Sequence, residues 1–331
     1  MAAVTGPGSG FPPPVQGRRR RVLVGVAVAW GVVLAGLAVW SVGHSPATVP
    51  EQRTIGQAVP ELQQAAGVVF AAAAGPGRAV VLGGLQVASG CRVTPVRHGD
   101  SASRDVTVYV RAGEQRGDIE TIAAALPARY QVEVTPSRGG TQFTLHADAG
   151  NFIGIDMDAT VGDSALTLRV SSGCRPVGAG GVDRADPGAG PAPGVLGTAL
   201  AALGSPEVAA RRAPGGPITG PSSGAGTKPW PTGSPVPPGA GILPQPSGSA
   251  GPSGAGPMVQ SVRCPAGGTA GTYTVGGVAA PGDWPRRLGR VASGAAVVRS
   301  DTSRWAYRTG NDSVVVVSDG HTLTVSASTA C

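Results

Sequence analysis

The sequence predicts an α+β protein with a single N-terminal transmembrane helix followed by two repeated, small, disulfide-bonded α+β domains. Each domain is predicted to be an antiparallel sheet with a packed helix, and a disordered linker rich in proline and glycine joins the two. Three observations lead to this prediction. An uncharged apolar run follows a block of arginines, four cysteines close two segments of similar pattern, and a stretch rich in glycine and proline separates these segments.

The first two segments of the chain predict a membrane anchor. Residues 1–21 have no apolar periodicity and end in the arginine block Arg18–Arg21, which predicts a disordered, basic cytoplasmic tail. Residues 22–42 contain no charged side chain. A helix of that length spans roughly 31 Å, close to the hydrocarbon thickness of a bilayer. We therefore expect a transmembrane helix whose partner is the lipid bilayer of the plasma membrane.

The arginine block also predicts the orientation of the anchor. By the positive-inside rule the N-terminus lies in the cytoplasm and the C-terminus lies outside the plasma membrane. A cleaved signal peptide is the alternative, because basic residues followed by an apolar run are typical of both. The composition is rich in alanine and glycine and uses arginine in place of lysine, which is typical of a GC-rich bacterial genome. We therefore expect a protein of the bacterial cell envelope.

The net charge does not indicate a nucleic-acid partner. The whole chain carries +7, but Arg18–Arg21 supply four of these charges. A surface that follows a phosphate backbone needs basic side chains clustered on a folded face, so we expect no nucleic-acid binding. The aromatic content of 4% predicts a core built mainly from valine, leucine, isoleucine and alanine.

The four cysteines predict the two domains and their disulfides. All four follow the predicted membrane helix, in a compartment where disulfides persist, and four cysteines allow three pairings. The segments DSALTLRVSSGC and DGHTLTVSASTAC each combine an acidic turn, an alternating strand and a closing cysteine. This internal repeat favours one bond in each copy, Cys91 with Cys174 and Cys264 with Cys331.

Domain 1 is predicted at residues 54–178 and domain 2 at residues 258–331. In domain 1 one helix is predicted to start at Pro60, because proline is tolerated in a first turn. A second helix is predicted to start at Asp118, which precedes apolar residues at the spacing i, i+3, i+4 and i+7. In domain 2 the corresponding helix follows Asp283. Short strands precede and follow each of these two later helices.

Residues 179–257 are predicted to be a linker, with a helix near residues 195–211. From residue 213 to residue 257, 24 of the 45 positions are glycine or proline, and no apolar periodicity is present. A random coil of that length spans roughly 35–40 Å. We therefore expect the second domain to be tethered to the first and not docked on it.

Two surfaces are candidate binding sites. Strand alternation places His146, Asp156 and Asp158 on the outer face of the domain 1 sheet. It points the following side chains into the core: Phe143, Leu145, Ile153, Ile155, Met157, Leu166, Leu168 and Val170. Convergence of the three outer-face groups would suit a metal ion or acid–base chemistry, and a solvated sheet face is the alternative. Trp305 and Tyr307 share one face of a strand in domain 2, where they form either a binding platform or part of the core. No metal-ligand or nucleotide-binding motif is present in the sequence, so we expect no cofactor.

Together these features predict a non-enzymatic, single-pass membrane protein that binds or scaffolds a protein or cell-wall partner outside the membrane. Two small domains on a long linker give reach, and the sequence contains no convergent set of catalytic residues. The alternative is an extracytoplasmic serine or metal-dependent hydrolase. Such a hydrolase would use a serine, Ser101 or Ser164, or else the sheet face that carries His146 and the aspartates.

Overall fold

The computed structural model describes residues 16–44, 53–205 and 257–331. The first 15 residues of the predicted tail, most of the predicted linker and the end of the helix predicted at residues 195–211 lie outside these ranges. The chain divides into two units, Met1–Val49 and Pro50–Cys331. Both sheets and the helices packed on them belong to the second unit.

Helix α1, Gln16–His44, is the described part of the N-terminal unit. Its segment Arg21–Ser41 is apolar, exposed and long enough to cross a membrane. A signal sequence has the same length and composition, so the structure supports either a membrane helix or a signal sequence here. The helix begins six residues before the predicted span, because the arginines that precede the apolar run have good helix propensity.

The first sheet is antiparallel and carries two helices. In chain order the elements are α2 (Ile55–Ala73), β1 (Ala79–Leu82), β2 (Gln86–Thr94), β3 (Arg97–Tyr109), α3 (Gln115–Ala125), β4 (Glu133–Ser137), β5 (Gln142–Asp148), β6 (Gly154–Thr160) and β7 (Ala165–Arg175). The strand order across the sheet is β1-β3-β7-β6-β5-β4, and β2 also pairs with β3.

The second sheet is antiparallel and likewise carries two helices. In chain order the elements are α4 (Gly194–Ala202), β8 (Met258–Arg263), β9 (Thr269–Ala279), α5 (Trp284–Val291), β10 (Ala296–Ser300), β11 (Arg304–Thr309), β12 (Asp312–Ser318) and β13 (Thr322–Ser328). The strand order across the sheet is β10-β11-β12-β13-β9-β8.

Apart from β1, which has no counterpart in the second sheet, the two sheets share one strand order. In the first, β3 is followed by helix α3 and by the meander β4 to β7, whose last strand pairs back with β3. In the second, β9 is followed by helix α5 and by the meander β10 to β13, whose last strand pairs back with β9. An earlier strand, β2 or β8, pairs with the other side of that central strand. The sequence of one strand, one helix and four strands therefore occurs in both halves.

Apolar side chains from α2, α3 and one face of the first sheet form the larger core. The positions predicted to point inward on β5 to β7 and just before β6 are all buried: Phe143, Leu145, Ile153, Ile155, Met157, Leu166, Leu168 and Val170. These strands alternate apolar and polar residues, which is the pattern of a sheet with one covered face. The inward positions predicted for these strands are confirmed.

Helix α2 begins at Ile55, which differs from the predicted start at Pro60. The side chain of Gln57 accepts a hydrogen bond from the backbone N–H of Thr54 at 3.0 Å and so closes the first turn. Ile55 and Val59 are buried in the core. Their burial stabilises the additional turn and offsets the backbone hydrogen bond that is lost at Pro60.

The structure contains the two predicted disulfides. Cys91 in β2 bonds to Cys174 in β7. Cys264, directly after β8, bonds to Cys331, beyond the end of β13. In each sheet the bond joins the region of the outer strand, β2 or β8, to the region of the last strand of the meander. The pairing predicted from the two closing cysteines is confirmed.

The second sheet packs against the first within the unit Pro50–Cys331. Val262 of β8 and Ala270 of β9 are buried in the core that contains α2. Ala306 and Val315, on the same face of the second sheet, form a small cluster with Ala79 of β1. The opposite face of the second sheet packs on α4 and α5. This packing of one sheet on the other differs from the expectation of a tethered second domain. The physical reason is that the second sheet has apolar residues on both faces, which leave water only when both faces are covered.

Candidate functional site

Away from β1, the outer face of the first sheet is polar and accessible to solvent. Helices α2 and α3 pack on the opposite face, where the apolar side chains of the strands point. Three predicted site residues, His146, Asp156 and Asp158, lie on the outer face, and all three are exposed. Strand alternation is enough to place them there, because residues two positions apart on a strand share a face.

Five charged or ionisable side chains on this face are direct neighbours across five strands. The backbone register pairs Glu133 with His146 and His146 with Asp156. It also pairs Asp156 with Arg169 and Arg169 with Asp105. Neighbouring strands lie about 4.7–4.9 Å apart, so the five residues extend over roughly 19 Å. We call this set the charged row, in which carboxylates alternate with an imidazole and a guanidinium.

Two close contacts order the side chains of the charged row. Nδ1 of His146 lies 2.8 Å from Oδ1 of Asp156, so the imidazole N–H donates to the carboxylate. Arg169 donates from Nε and Nη2 to the two carboxylate oxygens of Asp105, at 2.9 and 3.0 Å. The hydrogen bond to Asp105 raises the pKa of Arg169. The guanidinium therefore stays charged under all physiological conditions.

The three predicted residues of this face do not converge on one point. Asp158 lies two positions beyond Asp156 on β6 and accepts a hydrogen bond from Oγ1 of Thr144 at 3.2 Å. Two residues along a strand correspond to about 6–7 Å, so Asp158 stands beside the charged row and not within it. Among the described residues, no group of three His, Cys, Asp or Glu side chains is placed to hold a metal ion.

The serines of the hydrolase alternative lie apart from His146. Ser101 pairs in register with Cys174, four residues along β3 from the charged row. Ser164, in the turn before β7, accepts a hydrogen bond from Nη1 of Arg304 at 2.9 Å. Nucleophilic catalysis needs the hydroxyl and its base within hydrogen-bond reach. The register instead places each serine several residues along the sheet from the row that contains His146.

Trp305 and Tyr307 lie in the core of the second sheet. Tyr307 is 2% exposed, and burial raises its pKa to about 12. Trp305 packs against the same core, with its ring beside Gly289 of α5. The structure therefore supports the core interpretation of these two aromatics and not the binding platform, because rings packed between a sheet and its helices do not reach a partner.

Sequence reasoning missed a buried arginine between the two sheets. Arg104 of β3 is 0% exposed, and its Nη1 and Nη2 donate to the carboxylate oxygens of Asp186 at 3.0 and 2.7 Å. Its Nε donates to the carbonyl oxygen of Gly83 at 2.9 Å, and its Nη1 also donates to that of Ser261 at 3.1 Å. Because Ser261 lies in β8, Arg104 joins the first sheet to the second. The sequence signal that could have revealed it is strand alternation, because Arg104 occupies an inward-facing position on β3.

Comparisons with known proteins add one weak structural similarity. No protein-family model matches the sequence, and no curated protein shows a significant match. Among solved structures, the crystal structure of a DUF4853 family protein from Actinomyces odontolyticus is similar over 40% of this chain and 73% of that chain, at 17% sequence identity. The TM-score is 0.28, so this similarity supports no conclusion about fold or function.

Proposed function

We propose that this chain is a membrane-anchored protein that binds a partner outside the plasma membrane through the outer face of its first sheet. In this proposal α1 is the anchor, with the arginine-flanked N-terminus in the cytoplasm. The two disulfide-bonded sheets lie on the other side, where disulfides persist. The observation that carries the proposal is the charged row on a sheet face that neither α2 nor α3 covers.

The charged row suits binding better than it suits stability. Exposed ion pairs such as Arg169 with Asp105 contribute about 0–1 kcal/mol to folding, because water and salt screen them. Carboxylates that alternate with an imidazole and a guanidinium at fixed strand spacing give a partner a defined pattern to match. Complementarity of this kind increases specificity and the rate of association.

The chemistry of the surrounding face favours a polar partner. Hydroxyl side chains lie on both sides of the charged row: Thr135, Thr144, Thr167, Ser103 and Ser171. A hydroxyl both donates and accepts hydrogen bonds, so the face offers these bonds next to fixed charges. A polar protein surface, or a cell wall that carries hydroxyl, amine and carboxylate groups, has the matching chemistry.

We also infer that the two α+β halves are copies of one unit. The shared strand order and the equivalent position of the disulfide in each half support this inference. In this proposal the second copy stabilises the first, because it covers the outer side of the edge strand β1. The outer face of the first copy stays exposed at the charged row, where the proposed partner binds.

Site-specific photo-cross-linking in intact cell envelopes tests the binding face. A photo-reactive amino acid replaces Asp158, which is exposed beside the charged row. In the control protein it replaces Glu120, which is exposed on α3, on the covered side of the sheet. We expect a discrete cross-linked partner from position 158 and none from position 120.

Charge-reversal variants test whether the cross-linking at position 158 depends on the charged row. Asp156→Lys removes the acceptor of His146 and reverses the charge at the centre of the row, so we expect about tenfold less cross-linked product at position 158. Glu120→Lys is the matched control and should leave the yield unchanged. Equal products from positions 158 and 120, or a yield that does not respond to Asp156→Lys, would contradict the proposed binding face.

A further inference from the structure

We propose that one end of the first sheet is a membrane-contact surface that binds anionic phospholipid headgroups. We call it the tip surface. It consists of the β2–β3 hairpin turn, the β5–β6 turn and the segment that follows β7. Its exposed apolar side chains are Val96, Phe152 and Val177. The inference rests on the membrane anchoring proposed above, and it adds a contact between the folded unit and the lipid.

Strand register places the three segments at the same end of the sheet. Gly154, which follows the β5–β6 turn, pairs with Ser171 of β7. From there β7 continues to Arg175, which pairs with Asp100 near the start of β3. The β2–β3 turn that contains Val96 therefore lies at the same end as the β5–β6 turn and extends further than it.

The apolar side chains of the tip surface are strongly exposed. Val96 is 68% exposed, Phe152 52% and Val177 59%. Val177 lines a shallow depression together with Arg97 and His98 of the hairpin, so the segment after β7 adjoins the hairpin. A single exposed apolar residue needs no explanation, but several gathered at one end of a domain indicate contact with a partner or a membrane.

Phe152 is held at the tip by an unusual backbone conformation. Asn151 and Phe152 have φ values of 53° and 60°, in the left-handed region that bulky residues rarely occupy. The buried Arg175 donates from Nη2 to the carbonyl oxygens of both residues, at 2.8 and 3.0 Å. Its guanidinium also lies 5.8 Å from the centre of the Phe152 ring. Such strain persists where the surrounding structure enforces it, and it is concentrated at functional segments.

Basic side chains lie on the same hairpin as Val96. Arg92, Arg97 and His98 are exposed on the β2–β3 hairpin. Within the described ranges, neither arginine takes part in a salt bridge. The nearby carboxylate of Asp148 is engaged by the backbone N–H of Gly150, which donates to it at 2.8 Å. Arginines around exposed apolar side chains are typical of surfaces that bind anionic lipid headgroups.

The chain also enters this unit at the tip end. In the sequence only residues 45–52 separate the end of α1 from Arg53. The backbone N–H of Ile55, the first residue of α2, donates to the carbonyl oxygen of Pro176 at 3.0 Å, directly after β7. The described part of the folded unit therefore begins at the same end of the sheet as the tip surface.

Lipid cross-linking of the full-length protein in nanodiscs tests the proposal. A benzophenone amino acid replaces Val96 or Phe152. In the matched control it replaces Val161, which is 48% exposed in the turn at the opposite end of β6. Discs of phosphatidylcholine alone are compared with discs that also contain phosphatidylglycerol. We expect lipid adducts at positions 96 and 152 in the anionic discs, about fivefold above position 161.

Replacing the two hairpin arginines by glutamine tests whether lipid contact at the tip surface depends on their positive charge. The double variant Arg92→Gln and Arg97→Gln should lower the adduct yield at position 152 about fivefold in anionic discs and leave it unchanged in neutral discs. Both arginines are exposed, so we expect the variant to keep both disulfides, which mass spectrometry without reductant checks. Adducts at positions 96 and 152 no more abundant than at position 161 would overturn the tip surface alone. Failure of the full-length protein to enter discs would refute the anchoring and this inference with it.

Discussion

The two sheets follow the same strand order but differ in the residues on their outer faces. In β6 of the first sheet, buried and exposed residues alternate along the whole strand. The strand at the same place in the second sheet, β12, contains Val314–Val317, of which three are buried and the fourth is half-buried. The first sheet therefore presents its charged row to solvent, whereas the second sheet packs apolar residues against β1.

This difference shows that two properties of the sequence act separately. The succession of strand, helix and strands sets the fold of each half, because each half needs only one apolar face against its own helices. The residues on the other face decide whether that face meets solvent or another sheet. A tethered pair of domains and a docked pair can thus share one strand order and differ only in outward-facing side chains.

The largest effect is expected at Arg104, the buried arginine that joins the two sheets. Arg104→Ala leaves the carbonyl oxygens of Gly83 and Ser261 without their donor and removes the partner of Asp186. Breaking a buried ion pair in this way costs about 3–5 kcal/mol. We expect this loss in the free energy of unfolding measured with urea. We also expect faster hydrogen exchange in β8.

Arg169→Ala is the matched control for Arg104→Ala. It removes an arginine that also makes two hydrogen bonds to one aspartate, but on the exposed face of the same sheet. We expect a loss of about 0–1 kcal/mol. Equal losses from the two variants would contradict the conclusion that the sheets are docked through Arg104.

The two disulfides allow the stabilities of the two halves to be compared directly. Their loops contain 83 and 67 residues, which differ in chain entropy by only about 0.2 kcal/mol. Replacing either pair by alanine should cost about 2–5 kcal/mol, measured by urea unfolding. Loss of Cys264–Cys331 should also speed hydrogen exchange in α2, because Cys264 is buried in the core that contains α2. Exchange confined to the second sheet would indicate that the two cores are independent.

Much of this architecture could be predicted from local patterns in the sequence. Alternation over Phe143 to Val170 gave the covered face of the first sheet, and hence the outer face with His146 and Asp156. The two closing cysteines gave both disulfides. These features depend on the period of two along a strand and on a comparison of two segments, and neither needs knowledge of distant contacts.

The docking of the two sheets depends on contacts that no local pattern contains. The run Val314–Val317 is typical of a strand buried on both faces, and the inward phase of Arg104 indicates a buried charge that needs a partner. Each of these two patterns indicates that another part of the protein covers the residues, but neither identifies that part. The sequence alone could likewise not predict all five residues of the charged row. Glu133 and Asp105 belong to it only because of the register of four strand pairs.

A smaller effect is expected from exchanging polar and apolar residues between the two outer faces. Val315→Thr places a hydroxyl in the buried cluster against β1, which should cost about 1–3 kcal/mol. Thr167→Val makes the reverse change on the outer face of the first sheet and should alter stability by no more than about 0.5 kcal/mol. The urea midpoints of the two variants show whether the two substitutions differ in their effect on stability. Similar losses would show that both outer faces have the same environment.

The smallest effect concerns the turn between β12 and β13, and it appears only in acid. The backbone N–H groups of Thr322 and His321 donate to Asp319 at 2.6 and 2.8 Å and lower its pKa to about 2, from an ordinary value of 3.8. Because the folded pKa is the lower one, the stabilisation is complete above pH 4 and is lost as the pH falls towards 2.

Asp319→Asn isolates this contribution, because the asparagine oxygen can still accept hydrogen bonds but does not titrate in that range. We expect the native chain to be the more stable at pH 6 and the difference in urea midpoint to shrink between pH 4 and pH 2. Asp301, whose pKa burial would raise, is also lowered to about 2 by hydrogen bonds from Ser303 and Arg299. It is present in both proteins, so its titration cancels in the comparison. A difference that stays constant down to pH 2 would mean that the charge of Asp319 does not stabilise the turn.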